Sequence, residues 1–130
     1  MYKDTDELVA AWIRYHQKDK HKDNDPDFAA WEHLHDLAHS DPETALKIMD
    51  MIVARSDDPH ILAAIGAGPL EDLLGNDHGT RYVDSVIDRA RKFKNWRFAF
   101  GCVWEWGFKD KEVAAKIKEQ IDEFFPHGRP

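Results

Sequence analysis

The histidine-rich stretch at residues 31–39 carries the side chains best suited to metal chemistry. Glu32, His35 and His39 recur at spacings of three and four residues, which places them on one side of a helix. Glu-x-x-His on a helix holds iron in some bundle proteins, but a facing helix then supplies a second such motif, and this sequence has none. It also lacks His-Glu-x-x-His and a cysteine pair. We therefore expect a structural or surface role for this stripe and no bound metal or cofactor, with a metal-binding protein or metal-dependent enzyme as the alternative.

A second polar cluster follows the segment Gly66-Ala67-Gly68-Pro69. Its members are acidic or imidazole side chains at a predicted helical corner: Glu71, Asp72, Asp77 and His78. One interpretation is structural, with Gly68 capping a short helix over residues 69–74 and Glu71 reaching back to its amide in a capping box. The other is functional, because a basic partner or a metal could engage such a cluster.

Nucleophilic catalysis finds no support in the sequence. Gly-x-Ser-x-Gly is absent, and Gly66-Ala67-Gly68 follows a predicted helix and lacks the lysine of a phosphate-binding loop. Cys102, the single cysteine, lies in an apolar segment and is predicted to be a small, inert core residue. We therefore expect a protein that is not an enzyme.

Aromatic residues are concentrated between positions 96 and 106. A helix that carries aromatic side chains on several sides is expected to lie centrally between neighbours. The alternative is that Trp106 or Trp96 stays exposed as a binding anchor, since large aromatic side chains dominate interface hot spots.

The charge balance indicates which partners to expect. Acidic residues outnumber basic ones by 25 to 18, a net charge of −7, which argues against nucleic acid and anionic membranes and is compatible with a basic protein partner. Asp23, Asp25 and Asp27 extend the set of acidic contact candidates. The N-terminal residues lack the pattern of a signal peptide and no apolar run is long enough to span a membrane, so a cytoplasmic protein is expected.

These side chains must be positioned by helices. Asp-Pro recurs at residues 25–26, 41–42 and 58–59, and each pair predicts a helix start, because Asp caps the first amides and Pro fits the first turn. Apolar residues recur at spacings of three and four between these marks, and no segment has the period of a strand. The 130 residues are predicted to form a single all-α domain of about seven or eight helices in antiparallel hairpins. Both a short HEAT-like α-solenoid and a compact helical bundle fit this pattern.

The run Ala67-Gly68-Pro69-Leu70-Glu71-Asp72-Leu73-Leu74 resembles the signature of a bacterial family of small all-helical proteins of unknown function. Asp41-Pro42-Glu43 and Trp104 also fit that pattern, over about residues 8–106, which leaves the last helix outside the resemblance. Small acidic helical proteins of this kind are similar to immunity proteins, which neutralise a toxin. The sequence therefore predicts a protein-binding module, an immunity protein that blocks a basic toxin domain such as a nuclease. The predicted contact residues are Glu71, Asp72, Asp77, His78, Asp23, Asp25, Asp27 and Trp106.

Overall fold

The computed structural model describes residues 2–18 and 24–130, and in these ranges the chain forms helices joined by turns, without strands. The helices are α1 Thr5–Gln17, α2 Phe28–Ser40, α3 Pro42–Arg55, α4 Pro59–Ile65, α5 Glu71–Gly75, α6 Gly79–Lys92, α7 Lys94–Gly101 and α8 Lys111–Phe124. A single wide helical turn, Gly66–Leu70, joins α4 to α5, and a 3₁₀ turn, Glu105–Gly107, precedes α8. Among the described residues, none of the helices has the length and apolar character needed to cross a membrane.

Aspartate caps begin four of the described helices. Asp4 caps α1 by accepting from the Asp6 amide, and the starts predicted at residues 41–42 and 58–59 are confirmed. The Asp41 and Asp58 carboxylates accept hydrogen bonds from the amides of Thr44 and His60, and Asp110 caps α8 in the same way. The expected start at Asp25-Pro26 is wrong. There the Asp25 carboxylate accepts from the Asp27 amide in a turn, and α2 begins two residues later.

Packing between distant helices makes the fold a compact bundle and not a solenoid. A solenoid repeat touches only its neighbours, whereas here α1 packs on α4, α2 on α5 and α3 on α7. The interior is apolar and is centred on large buried side chains, among them Trp12, Trp96 and Phe100. Burial of this surface is what stabilises helices that are individually too short to persist in water.

The seventh helix is shorter than the aromatic pattern suggested. α7 ends at Gly101, and the amides of Cys102 and Val103 bond three residues back instead of four, after which the chain becomes extended at Trp104. Gly101 lies against the C-terminal segment so closely that a Cβ would be 2.7 Å from the Phe125 ring. Trp104 and Trp106 therefore leave the helix, and the prediction that they belong to a central helix is wrong.

Candidate functional site

A corner between α2 and α5 brings the two predicted polar clusters together. Here His35 Nδ1 lies 2.8 Å from Asp72 Oδ2, although the residues are 37 positions apart in sequence. Because a carboxylate only accepts, this hydrogen bond places the His35 proton on Nδ1. We call the set His35, His39, Asp72, Asn76 and His78 the α2–α5 corner.

The loop after α5 fastens this corner to the end of α2. Asn76 Nδ2 donates to the Ala38 carbonyl at 2.9 Å, and His78 Nε2 donates to the His39 carbonyl at 2.8 Å. The Asn76 side chain also accepts from the His78 amide at 2.8 Å, which closes a local turn. Asn76 thus orders the corner from both sides, and sequence reasoning missed it. The Asn that follows Gly75 is a common loop signal, and it indicated a turn without indicating a partner.

Stacked rings fix the two histidines of α2. His35 stacks on Trp31 with ring centroids 5.0 Å apart and an interplanar angle of 6°, and His39 meets His35 edge-on at 5.1 Å. One potential ligand atom from each of His35, His39 and Asp72 lies within 4.8 Å of the other two. Glu32, which the helical spacing grouped with these histidines, is not part of this group; Asp72 from α5 occupies that place.

Glu71, beside Asp72, connects the corner to the segment after α7. Its carboxylate accepts a hydrogen bond of 2.8 Å from the Trp104 amide, instead of closing the predicted capping box with Gly68. Burial raises the pKa of Glu71, the neighbouring Asp72 and Glu105 carboxylates raise it further, and the Trp104 amide opposes them. Glu71 therefore holds the chain at Trp104 in place.

That segment, residues 103–108, is called here the tryptophan loop. Trp104 is 66 % exposed and Trp106 is 56 % exposed, and their rings meet at 4.8 Å in an edge contact. Glu105 between them is 3 % exposed and forms an ion pair with Arg129, whose guanidinium lies 4.5 Å from the Trp106 ring. The ion pair between the buried Glu105 and Arg129 thus fixes the loop, while both indoles are exposed to solvent. Of the two candidate anchors, Trp106 is exposed as expected, and Trp96 is buried.

The other predicted acidic contacts lie apart from this loop. Asp27, which is 9 % exposed, accepts hydrogen bonds from Arg14 and Lys18, and the Asp25 carboxylate also pairs with Lys18. Their pKa values are lowered, chiefly by the Arg14 hydrogen bond for Asp27 and by the Lys18 hydrogen bond for Asp25. Both carboxylates therefore connect α1 to the start of α2. Asp77 is exposed, and Asp23 lies outside the described residues.

Neither an open groove nor the single cysteine brings the predicted contact residues together. An open groove of about 730 Å³ between α3 and the α6–α7 connection is lined in part by Asp50 and Phe93, and Asp50 is occupied by hydrogen bonds from Arg89 and Trp96. Cys102 is half-buried, which raises the pKa of its thiol. A raised pKa keeps a thiol protonated and a poor nucleophile. Cys102 lies just after α7 and is only half-buried, so the prediction of a core residue is wrong.

The comparisons with known proteins place the chain in a family. Residues 17–123 match the model of a family described as "Family of unknown function (DUF6869)". The match extends through most of α8 and begins only at the end of α1, so it covers more of the C-terminal part than the residues 8–106 expected from the motif. No curated protein and no solved structure matches the chain significantly.

Proposed function

We propose that this chain, which belongs to the family of unknown function whose model spans residues 17–123, is a protein-binding module that engages its partner through Trp104 and Trp106. The observation that carries this proposal is the exposure of two adjacent indoles on an anchored loop. Soluble chains normally scatter large exposed aromatic side chains singly, and a rigid aromatic pair is what interface hot spots are made of.

The area of the pair is large enough to matter for binding. A tryptophan side chain offers up to about 250 Å², so exposed fractions of 66 % and 56 % leave on the order of 300 Å² in water. At about 25 cal/mol per Å², covering this surface would contribute on the order of 7 kcal/mol before the costs of association. A typical partner surface is roughly 800 Å². The pair would therefore form the centre of an interface and need polar surroundings to complete it.

The anchoring of the loop favours tight binding. The Glu71 carboxylate holds the Trp104 amide, and Arg129 holds both the Val103 carbonyl and the buried Glu105. A surface that is already ordered loses little conformational entropy on binding. The residues that fix the loop are thus as important to this function as the indoles.

The charge of the chain favours a basic partner. With a net charge of −7, long-range attraction accelerates encounter with a cationic surface. The Glu71 carboxylate bonds the Trp104 amide, and Glu71 and Asp72 line one shallow depression with Trp104. We propose more specifically that the partner is a basic bacterial toxin domain, such as a nuclease, and that this chain is its immunity protein.

Co-expression with the products of the genes adjacent to that of this chain tests the proposal, because an immunity protein is expected to be encoded beside its toxin. We expect the chain to restore growth and to co-purify with the toxin domain, and the W104A/W106A double variant to lose both effects. A hot-spot tryptophan contributes at least about 2 kcal/mol, which is roughly a thirtyfold loss of affinity for each residue.

The matched control is F93A, because Phe93 is another large aromatic side chain with a similar exposure, 57 %, at the α6–α7 connection. It should bind as the unmodified chain does. A double variant that still protects and still co-purifies would rule out the tryptophan loop, and a neighbouring gene product that neither harms cells nor binds would rule out the immunity role.

A further inference from the structure

We propose that His35, His39 and Asp72 form a binding site for a divalent transition metal ion at the α2–α5 corner. Three potential ligand atoms from two separate helices lie within 4.8 Å of one another, and side chains 37 positions apart meet there only because α5 packs on α2.

The spacing is close to that of a coordination sphere. Zinc bonds to nitrogen and oxygen ligands are about 2.0–2.2 Å long, so two ligand atoms of one ion lie about 3.0 Å apart at a right angle and about 3.4 Å apart in a tetrahedron. His35 Nδ1 and Asp72 Oδ2 are 2.8 Å apart, close to the right-angle separation. An ion would replace the proton that joins them and would lie to one side of the line between the two atoms.

To complete the coordination of an ion, His39 must move closer to the other two ligands. Its ligand atom lies at most 4.8 Å from the other two, so it must approach by no more than about 1.4 Å to reach tetrahedral spacing. The His39 side chain is exposed, and rotation about its side-chain torsions can deliver that shift without disturbing the core. His39 and Asp72 also line a shallow depression of about 280 Å³ together with Glu71 and Trp104, which leaves solvent access for the ion.

The backbone beneath these ligands is fixed before any metal arrives. His78 Nε2 bonds the His39 carbonyl and Asn76 bonds the Ala38 carbonyl, so the ends of α2 and α5 are held at one separation. The His35 ring is further oriented by its stack on Trp31. Ligands on such a scaffold need little reorganisation, and the half-buried Glu71 carboxylate adjoining Asp72 adds negative charge that favours a cation.

The donor set selects the class of metal. Two imidazole nitrogens suit Zn²⁺, Fe²⁺, Co²⁺ or Ni²⁺ and not Mg²⁺ or Ca²⁺, which prefer an all-oxygen environment. Three protein ligands leave at least one coordination position for water or a ligand from outside.

Titration of the full, untagged chain with Zn²⁺ alone tests the site. We expect one equivalent to bind by calorimetry, to raise the midpoint of thermal unfolding, and to be undisturbed by a hundredfold excess of Mg²⁺. Co²⁺ should give a visible absorption spectrum that Zn²⁺ abolishes. H39Q and D72N should each weaken Zn²⁺ binding at least tenfold, because each removes one of three ligands.

H60Q and D36N are the matched controls. Both residues are exposed, His60 lies in the first turn of α4 and Asp36 lies on α2, and each variant should bind Zn²⁺ within twofold of the unmodified chain. Urea midpoints without metal show that the variants are folded. The proposal is overturned if the unmodified chain binds no stoichiometric Zn²⁺, or if folded H39Q or D72N binds it as well as the controls do.

Discussion

Substituting Gly66 by alanine tests the close contact between the wide turn Gly66–Leu70 and the end of α7, just before the tryptophan loop. Helix propensity predicts that this change stabilises the protein, because alanine is favoured over glycine in a helix by about 1 kcal/mol. The structure predicts the opposite sign. A Cβ at position 66 would lie 2.0 Å from the Ala99 carbonyl oxygen and 2.7 Å from Cys102 Cβ.

The size of the effect follows from these distances. Ordinary contact begins at 3.4 Å, so the two backbones would have to separate by about 1.4 Å, which is the difference between 3.4 and 2.0 Å. A carbonyl oxygen within a helix cannot rotate away as a side chain can. Overpacking of this kind costs about 3 kcal/mol, the upper end of its usual range. After the gain of about 1 kcal/mol in propensity, G66A should lose about 2 kcal/mol of unfolding free energy.

Urea denaturation followed by far-UV circular dichroism measures this loss directly. In thermal unfolding it corresponds to a decrease of about 8 °C in the midpoint for a chain of this size. G107A is the matched control, because nothing lies within 4 Å of a Cβ at Gly107, and its unfolding free energy should change by less than about 0.5 kcal/mol. A G66A chain as stable as the unmodified one, or more stable, would refute the close approach of this turn to α7.

Two ion pairs provide the remaining predictions. D27N should lower the unfolding free energy at pH 7 by about 1–2 kcal/mol, because it removes the ion pair with Arg14, the partner that lowers the Asp27 pKa most. The loss stays in this range because the Arg14 side chain is 55 % exposed and is hydrated again when the pair is lost. The folded-state pKa of Asp27 is lowered, so this stability is complete above the ordinary value of 3.8 and is lost as the pH falls through the lowered pKa. Urea midpoints should therefore converge at acid pH, and an equal difference at pH 7 and pH 2 would contradict the assignment. E105Q should cost about 3 kcal/mol by the same assay, because the Arg129 guanidinium, whose side chain is 23 % exposed, loses its charged partner. A smaller loss than in D27N would contradict the greater burial of this pair.

Helix starts were the most predictable part of the fold, because their cause is local. The Asp41 and Asp58 caps satisfy amides within three residues of themselves, so the sequence around each contains the whole explanation. At Asp25 the carboxylate makes the same local bond, to the Asp27 amide, but the chain forms a turn there and α2 begins only at Phe28. The cap signal therefore marked the vicinity of this helix start and not its first residue.

The end of α7 and the α2–α5 corner could not be predicted for the same physical reason. α7 stops where the C-terminal segment covers Gly101, and no property of residues 96–106 records that contact. The sequence grouped His35 and His39 with Glu32 by helical spacing, while the fold pairs His35 with Asp72. Helical spacing identifies candidate ligand residues only within a single helix, whereas the α2–α5 corner depends on how two helices pack.

The short helix α5 explains why buried leucines and acidic residues are combined in the motif that follows Gly68-Pro69. Leu70, Leu73 and Leu74 are fully buried, and they hold a five-residue helix that has no stability of its own. Glu71 and Asp72 fall between these leucines and point in different directions around the helix. Glu71 reaches the Trp104 amide and Asp72 reaches His35. One turn of helix thus supports both the tryptophan loop and the α2–α5 corner.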